Sequence, residues 1–567
     1  MTANIDAIFF DMGYTLRNSV KNTDPEQRYL GLNRIIKLLK LDISLVDLDK
    51  KLSRRAAEYK KWAQKTLTEL DEQELWMKWM LPDVPAKKVK QHAAQLNAFW
   101  REIVSTKVIF PESREVIQEL FKRGYRIGLI SNTTSSSEAP LTVKELGLDD
   151  CVEYIALSNV IGKRKPDPEI FWNATKAMRV DPGRCAYIGD KPSRDVAGSR
   201  NAGFAKVILI QWPGKENKKI EDHNLQPDHL VKNLKSLLKI FPSRYPTIKR
   251  EWIPRLTKKT EKSQWNASLS TMWMMGRFAD FDDFQKAAHE MGFRGVELNH
   301  QLDSRLLEEK KIRLGLISGV HEPCPADVPM NVLKETDWLI SSLDEEKRQQ
   351  GLRMIKRSIN LAYQLGVPRI ILHAGQIQGT GDLEEKIRKL YQHGKQKSLE
   401  YKQLAAKARK ILEKKLPLHL EAAFSSLLEL VEYARPYSVQ IGIENRYHYF
   451  DIPGIDEMQT LLNAAGSDQI GFVFDVGHAT ALDHLGYYKF EDWLERYSSR
   501  IIGVHIHDVN GIEDHLAPGL GKVDFSILAK YLPPDAFRTL EVKVNNTPEQ
   551  IVTGLKLLQE KGILTQS

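Results

Sequence analysis

Ile8-Phe9-Phe10-Asp11-Met12-Gly13-Tyr14-Thr15-Leu16 is the stretch on which the reading of the amino-terminal half turns. The run Asp6 to Phe10 is short and apolar and stops abruptly at Asp11. That pattern predicts a buried parallel strand that delivers a carboxylate at its carboxyl end. Open α/β sheets bind their ligands at such ends.

Outward from this strand, a long charged segment to about Thr106 carries helical periodicity, with Trp62, Trp76, Trp79 and Trp100 placed to pack a bundle. It reads as an inserted helical cap over about 17–106. Strand-like runs resume at Arg126–Ile130, Val152–Ala156, Cys185–Ile188 and Val207–Ile210, each separated from the next by helix-like sequence, which predicts a doubly wound α/β domain over 1–240. Residues 241–265, with Pro242, Pro246, Pro254 and a Lys-rich run, read as a linker.

Beyond it come eight apolar runs: Ala267–Trp273, Gly295–Asn299, Leu316–His321, Arg369–His373, Gln440–Glu444, Ile470–Asp475, Ile502–His507 and Thr539–Val542. Helical patterns separate them, so 266–567 is expected to close into a (β/α)8 barrel whose site lies at the strands' carboxyl ends.

The chain has 567 residues, 42% of them hydrophobic, which is enough for more than one core. Its formal charge of +9 suits a phosphate-bearing partner, although the Lys-rich stretch 395–415 reads mainly as a solvated helix face. Three scattered cysteines fit a reducing compartment, and no run approaches membrane-spanning length. A cytoplasmic protein with no membrane partner is expected, and a homo-oligomer is allowed.

Four pieces appear in order: the Asp11-Met-Gly13 run, Ser131-Asn132-Thr133, Lys165-Pro-Asp-Pro, and Gly189-Asp190-Lys-Pro-Ser-Arg-Asp195. In these the segment to about Ile240 resembles the haloacid dehalogenase (HAD) superfamily: a Rossmannoid α/β domain with a helical cap. The resemblance implies that Asp11 is a nucleophile forming an aspartyl phosphate. It implies that Asp11, Asp190 and the Gly13 carbonyl hold Mg²⁺, supported by Asp195, and that Ser131, Asn132 and Lys165 bind the phosphate. Family phosphatases carry an Asp two residues after the nucleophile as general acid. Gly13 stands there instead, which keeps open a catalytically weak phosphate-binding sensor.

The barrel strands end in Glu297 with His300, His321, His373, Glu444, Asp475 with His478, His505 with His507, and Glu541, and His515 lies in a following loop. Such convergence on one rim predicts a metal site. The runs Gly442-Ile-Glu444-Asn-Arg446, Phe474-Asp475-Val-Gly-His478 and Val504-His505-Ile-His507-Asp508 resemble the xylose isomerase-like TIM barrels, which include sugar isomerases, epimerases and AP endonucleases. The resemblance implies one divalent ion (Mn²⁺, Co²⁺, Mg²⁺ or Zn²⁺) on Glu444, Asp475, His505 and Glu541. Glu444 and Glu541 are then acid and base in an enediolate isomerisation, while His478 and Arg446 contact the substrate.

The expectation is therefore a phosphatase joined to an isomerase or epimerase acting on a phosphorylated or free sugar. The rival is an AP-endonuclease-like phosphodiesterase with three zinc ions, the additional ligands being His321, His373, His478, Glu513 and His515. Nucleic acid is the less favoured partner.

Overall fold

The computed structural model describes residues 5–212, 225–244, 264–308 and 317–566. The chain divides into two compact units, Met1–Pro242 and Ser243–Ser567. Most of the expected linker lies outside the described residues. At its two edges, Phe241 is buried in the first unit's core and Trp265 begins a strand of the second.

In the first unit, β1 (Ala7–Phe10) is buried at every position. β2 (Arg17–Lys21) and β3 (Ser105–Ile109) form a separate antiparallel pair. The main sheet adds β4 (Arg126–Ser131), β5 (Val152–Leu157), β6 (Cys185–Gly189), β7 (Lys206–Ile210) and β8 (His229–Val231). Its order is β5-β4-β1-β6-β7-β8, all parallel. From β1 the chain winds outward one way through β4 and β5 and the other way through β6 to β8. The carboxyl ends of β1 and β6 therefore flank the point where strand order reverses, where ligands of such sheets sit. Asp11 and Asp190 follow those two strands.

The segment between β2 and β3 carries the helices Pro25–Leu39, Leu45–Thr66 and Ala86–Val104. Asp24 caps the first, with Pro25 at its first position, and Ser44 caps the second by accepting the Asp47 N–H. They share a core of their own around Leu32, Leu52, Trp76 and Leu96. Two features escape the sequence reading. The wholly helical reading of 17–106 misses β2 and β3, whose Arg-Asn-Ser-Val-Lys and Ser-Thr-Lys-Val-Ile sequences show no strand-like apolar alternation and become strands only by pairing with each other. The three-residue edge strand β8 is likewise too short to leave a pattern.

The second unit is a closed barrel of eight parallel strands: β9 (Trp265–Ser270), β10 (Phe293–Leu298), β11 (Ile317–His321), β12 (Arg369–Leu372), β13 (Gln440–Glu444), β14 (Ile470–Asp475), β15 (Ile501–Ile506) and, after a hairpin of β16 (Asp508–Asn510) and β17 (Glu513–Leu516), β18 (Phe537–Leu540). The fold is thus α/β throughout. The barrel strands are packed too closely for side chains at several glycines: a Cβ at Gly503 would meet the Phe537 ring at 2.0 Å. A 36-residue helix, Leu399–Ala434, contributes Leu427, Leu430 and Val431 to the barrel core and Tyr401 and Ala408 to a second apolar cluster with Tyr449 and Leu482.

Arg126 at the start of β4 is paired with Glu153 of β5 at 2.7 Å, both side chains 1% exposed. Removing one partner of a buried ion pair costs about 3–5 kcal/mol, so Arg126→Met should destabilise the first unit by that order, read as a lowered urea midpoint for its transition.

Candidate active sites

In the first unit, the three carboxylates Asp11, Asp190 and Asp195 offer oxygens within 4.8 Å of one another. β1 and β6 are adjacent and in register, Phe10 beside Ile188, so the residues just beyond them meet. Lys165 reaches the same place, fully buried, with Nζ 2.7 Å from Asp11 Oδ1, 2.9 Å from Asp195 Oδ1, 2.6 Å from the Tyr187 hydroxyl and 2.9 Å from the Ile130 carbonyl. Asp195 also accepts the backbone N–H groups of Asp190 and Lys191 at 3.2 and 2.9 Å, which fixes the turn carrying Asp190. Ser131 ends β4, two residues past Leu129, the register partner of Phe10.

The electrostatics separate two of these acids. Burial, then the charges of Asp11 and Asp195, push Asp190 up to about 7. Burial pushes Asp195 the same way, but Arg194 and Lys165 outweigh it and hold it well below the usual carboxylate range.

Two expected roles change in detail. Both ends of the Asn132 amide are engaged by the backbone of Lys165, donating to its carbonyl at 3.0 Å and accepting its N–H at 2.8 Å, so Asn132 holds the lysine loop and keeps one Nδ2 hydrogen beyond those bonds. At Gly13 a built Cβ would meet nothing within 4 Å, so the position of the missing general acid is open space. Arg194, passed over within its own motif, reaches all three acids.

In the second unit, Glu444, Asp475, His505 and Glu541 are all buried, with ligand atoms within 4.8 Å of one another. They come from the ends of β13, β14 and β15 and the residue after β18. Two overlapping sets join them: His321 and His373 with Glu444, and His321 with His505 and Glu541. A third set is His478, His507 and His515. The β16–β17 hairpin folds His515 back over His507, with rings stacked at 4.1 Å.

His505 Nδ1 lies 3.2 Å from Glu541 and also bonds Glu444. Its Nε2 lies 3.0 Å from Glu297, without hydrogen-bond alignment. Burial alone would lower its pKa, but Glu297, Glu541 and Glu444 raise it well above the ordinary histidine value. Glu444 is held well below the carboxylate range despite its burial, by the charge of His505 and hydrogen bonds with His321, His373 and His505. His321 rises to about 9 against burial through Glu444 and Glu541, whereas burial, Arg446 and His321 drive His373 well below its ordinary value. Burial and His507 lower His515 to about 4.

Arg446 donates to Glu444 at 2.8 Å and lies 3.5 Å from Asp451, so its charge is engaged inside the site. A cavity beside His373 and Arg446 is lined by Met330, Leu333, Trp338 and Met354. Among the described residues Glu513 joins no ligand set: it is exposed on β17, and Asp514, one residue on, is the buried acid, 3.4 Å from His515. Asp514 and His515 both turn inward because His515 takes a left-handed backbone conformation, φ 58°, which breaks the strand's alternation. His507, not assigned as a ligand from sequence, belongs to the three-histidine set and pairs with Asp475 at 3.0 Å.

Comparison with known proteins follows the same division. Residues 5–203 match the family model for haloacid dehalogenase-like hydrolases, and residues 285–561 that for the xylose isomerase-like TIM barrel. The chain thus joins a HAD-like hydrolase domain to a xylose isomerase-like TIM barrel. A glyceraldehyde 3-phosphate phosphatase of Pyrococcus furiosus is 29% identical over 131 residues, 23% of this chain and about half, 53%, of that protein. Its counterpart from Pyrococcus abyssi is 27% identical over 242 residues, 42% of this chain and 94% of that one. The crystal structure of a D-tagatose 3-epimerase-like protein aligns at 20% identity and a TM-score of 0.37, covering 52% of this chain and 96% of that one.

A carboxyl raised to about 7 keeps its proton in the folded, ion-free protein. The stability it contributes is full below the unfolded value near 4 and is lost as pH rises to about 7. A divalent ion held by Asp190 would displace that proton, so the rise in the first unit's melting temperature on adding Mg²⁺ should be larger at pH 8 than at pH 5.5. Differential scanning calorimetry at the two pH values checks this, and Asp190→Asn should abolish the difference.

Proposed function

We propose that the first unit is a Mg²⁺-dependent phosphomonoesterase with Asp11 as nucleophile, and that the barrel is a divalent-metal-dependent sugar isomerase or epimerase. The observation carrying the first part is the meeting of Asp11, Asp190, Asp195 and Lys165 at the switch point of the sheet. The phosphatase relatives from Pyrococcus support the reaction class. The three acids fit a hard cation, being all-oxygen donors packed within 4.8 Å. Bound there, it would neutralise charge on the phosphoryl oxygens.

Asp11 Oδ attacks phosphorus as the phosphorus–alcohol oxygen bond breaks, and water then cleaves the aspartyl phosphate. Lys165 orients Asp11 and balances its charge. With glycine at position 13, the leaving alkoxide must take its proton from elsewhere. Asp11→Asn should remove p-nitrophenyl phosphate turnover. Gly13→Asp, which has room for its side chain, should raise it by about 10²–10⁴-fold. Absence of p-nitrophenyl phosphate turnover in the parent protein would favour the phosphate-binding sensor, and turnover unaffected by Asp11→Asn would overturn the role given to Asp11.

For the barrel, the carrying observation is the buried Glu444, Asp475, His505 and Glu541 quartet. Its mixed oxygen and nitrogen donors and its surplus of buried carboxylates fit a divalent cation. That cation would polarise the substrate carbonyl. Glu444 and Glu541, both held ionised, are suited to take a proton from carbon; the electron pair moves into the sugar's enediolate, and the proton returns to the neighbouring carbon or the opposite face. A phosphorylated sugar would serve both units.

A second reading has its own support. The sets on His321 and His373 and on His478, His507 and His515 would hold further ions, as phosphodiester cleavage by a three-zinc site requires. Metal analysis of the purified chain separates the two: one ion in the barrel favours sugar chemistry and three favour the phosphodiesterase. Solvent deuterium appearing in a recovered ketose, and lost in Glu444→Gln and Glu541→Gln, is the outcome expected of the isomerase. Cleavage of abasic-site DNA without any deuterium uptake would replace it.

A further inference from the structure

We propose that Arg194 is a built-in counter-cation of the amino-terminal site: it occupies the place of the divalent ion among Asp11, Asp190 and Asp195 and must leave when the ion binds. This rests on the phosphatase reading of the site.

One nitrogen of the guanidinium, Nη2, lies 2.8 Å from Asp11 Oδ2, 3.0 Å from Asp190 Oδ1 and 3.2 Å from Asp195 Oδ2. These three acids are the ones whose oxygens converge within 4.8 Å. An Nη carries two hydrogens and cannot donate fully to three acceptors, so its central position reflects charge more than hydrogen bonding. Nε adds a longer bond to Asp195 Oδ1 at 3.4 Å, so the guanidinium leans on Asp195 while Nη2 sits among all three acids.

The other cation present cannot play this part. Lys165 is 0% exposed and committed to Asp11, Asp195, Tyr187 and the Ile130 carbonyl, so it is fixed in the wall of the site. The Arg194 side chain is 26% exposed although two of its three partners are almost wholly buried. It rises from the Pro192–Val196 turn at the rim and has solvent into which it can swing. Of the two cations, Arg194 is the one that can be exchanged.

The three acids carry at most three negative charges, and Arg194 and Lys165 already offset two of them. A divalent ion entering beside Arg194 would meet a like charge at close range, whereas one that displaces it restores the balance. The ion's apparent affinity is then reduced by the fraction of molecules in which Arg194 is already out. Arg194 thereby keeps the ion-free site folded and sets the ion concentration at which it loads.

Isothermal titration calorimetry of the full chain with Mg²⁺ tests this, the relevant binding event being the one that Asp190→Asn removes. In Arg194→Gln that event should tighten by about tenfold or more, while the ion-free protein's first unfolding transition moves to lower temperature. Arg194→Lys, which keeps the charge on a shorter stem, should fall between. Unchanged or weaker Mg²⁺ binding in both variants would overturn the proposal and make Arg194 a bystander or a support of the ion. The absence of any Asp190-dependent event in the parent and both variants would instead remove the metal reading of the site and this proposal with it.

Discussion

Buried carboxylates at the tips of parallel strands are the constraint on which both units depend. Taking an ionised carboxylate out of water is expensive unless a cation or several donors replace the solvent. Each fold answers in the same way. Asp11 and Asp195 are held by Lys165 and Arg194, and Glu444, Asp475 and Glu541 by His505, His507 and Arg446. In both units the charge of buried carboxylates is offset by cationic side chains of the protein itself, so the integrity of these clusters and the stability of the folds are linked.

The same crowding sorts protons. Side chains of one type, a few ångströms apart, take opposite protonation states according to what surrounds them. His321 is raised to about 9 by Glu444 and Glu541, while His373, next to it and facing Arg446, stays neutral. Asp190 keeps a proton to about 7 while Asp195 is firmly ionised. Acid and base functions on one rim come from such divergence of environment, not from residue type.

Much of the architecture was readable beforehand because it rests on local pattern. β1 announces itself by Ala-Ile-Phe-Phe ending at Asp11, and β13 to β15 by apolar runs ending in Glu444, Asp475 and His505-Ile-His507. β2 and β3 were not readable, since each is stabilised by the other rather than by its own composition. At the site, Glu513 was chosen over Asp514 because spacing alone does not say which of two adjacent acids faces inward on a short hairpin strand. His507 and Arg194 stood inside quoted motifs without a role: the partner of His507, Asp475, lies far off in sequence, and nothing in the motif says that Arg194 turns toward Asp11 as well as its neighbours Asp190 and Asp195.

The sequence by itself determined which chemistry-bearing residues stand at strand ends, because hydrophobic periodicity and its abrupt interruption are properties of neighbouring residues. Only the tertiary structure decided which of them meet: that Glu444 is shared between ligand sets, that Asn132 holds the Lys165 loop, and that one arginine nitrogen sits among three acids. The reason is that closure of a sheet or barrel brings together groups hundreds of residues apart, and the distances so fixed, a few ångströms either way, decide whether charges cancel, repel or share an ion.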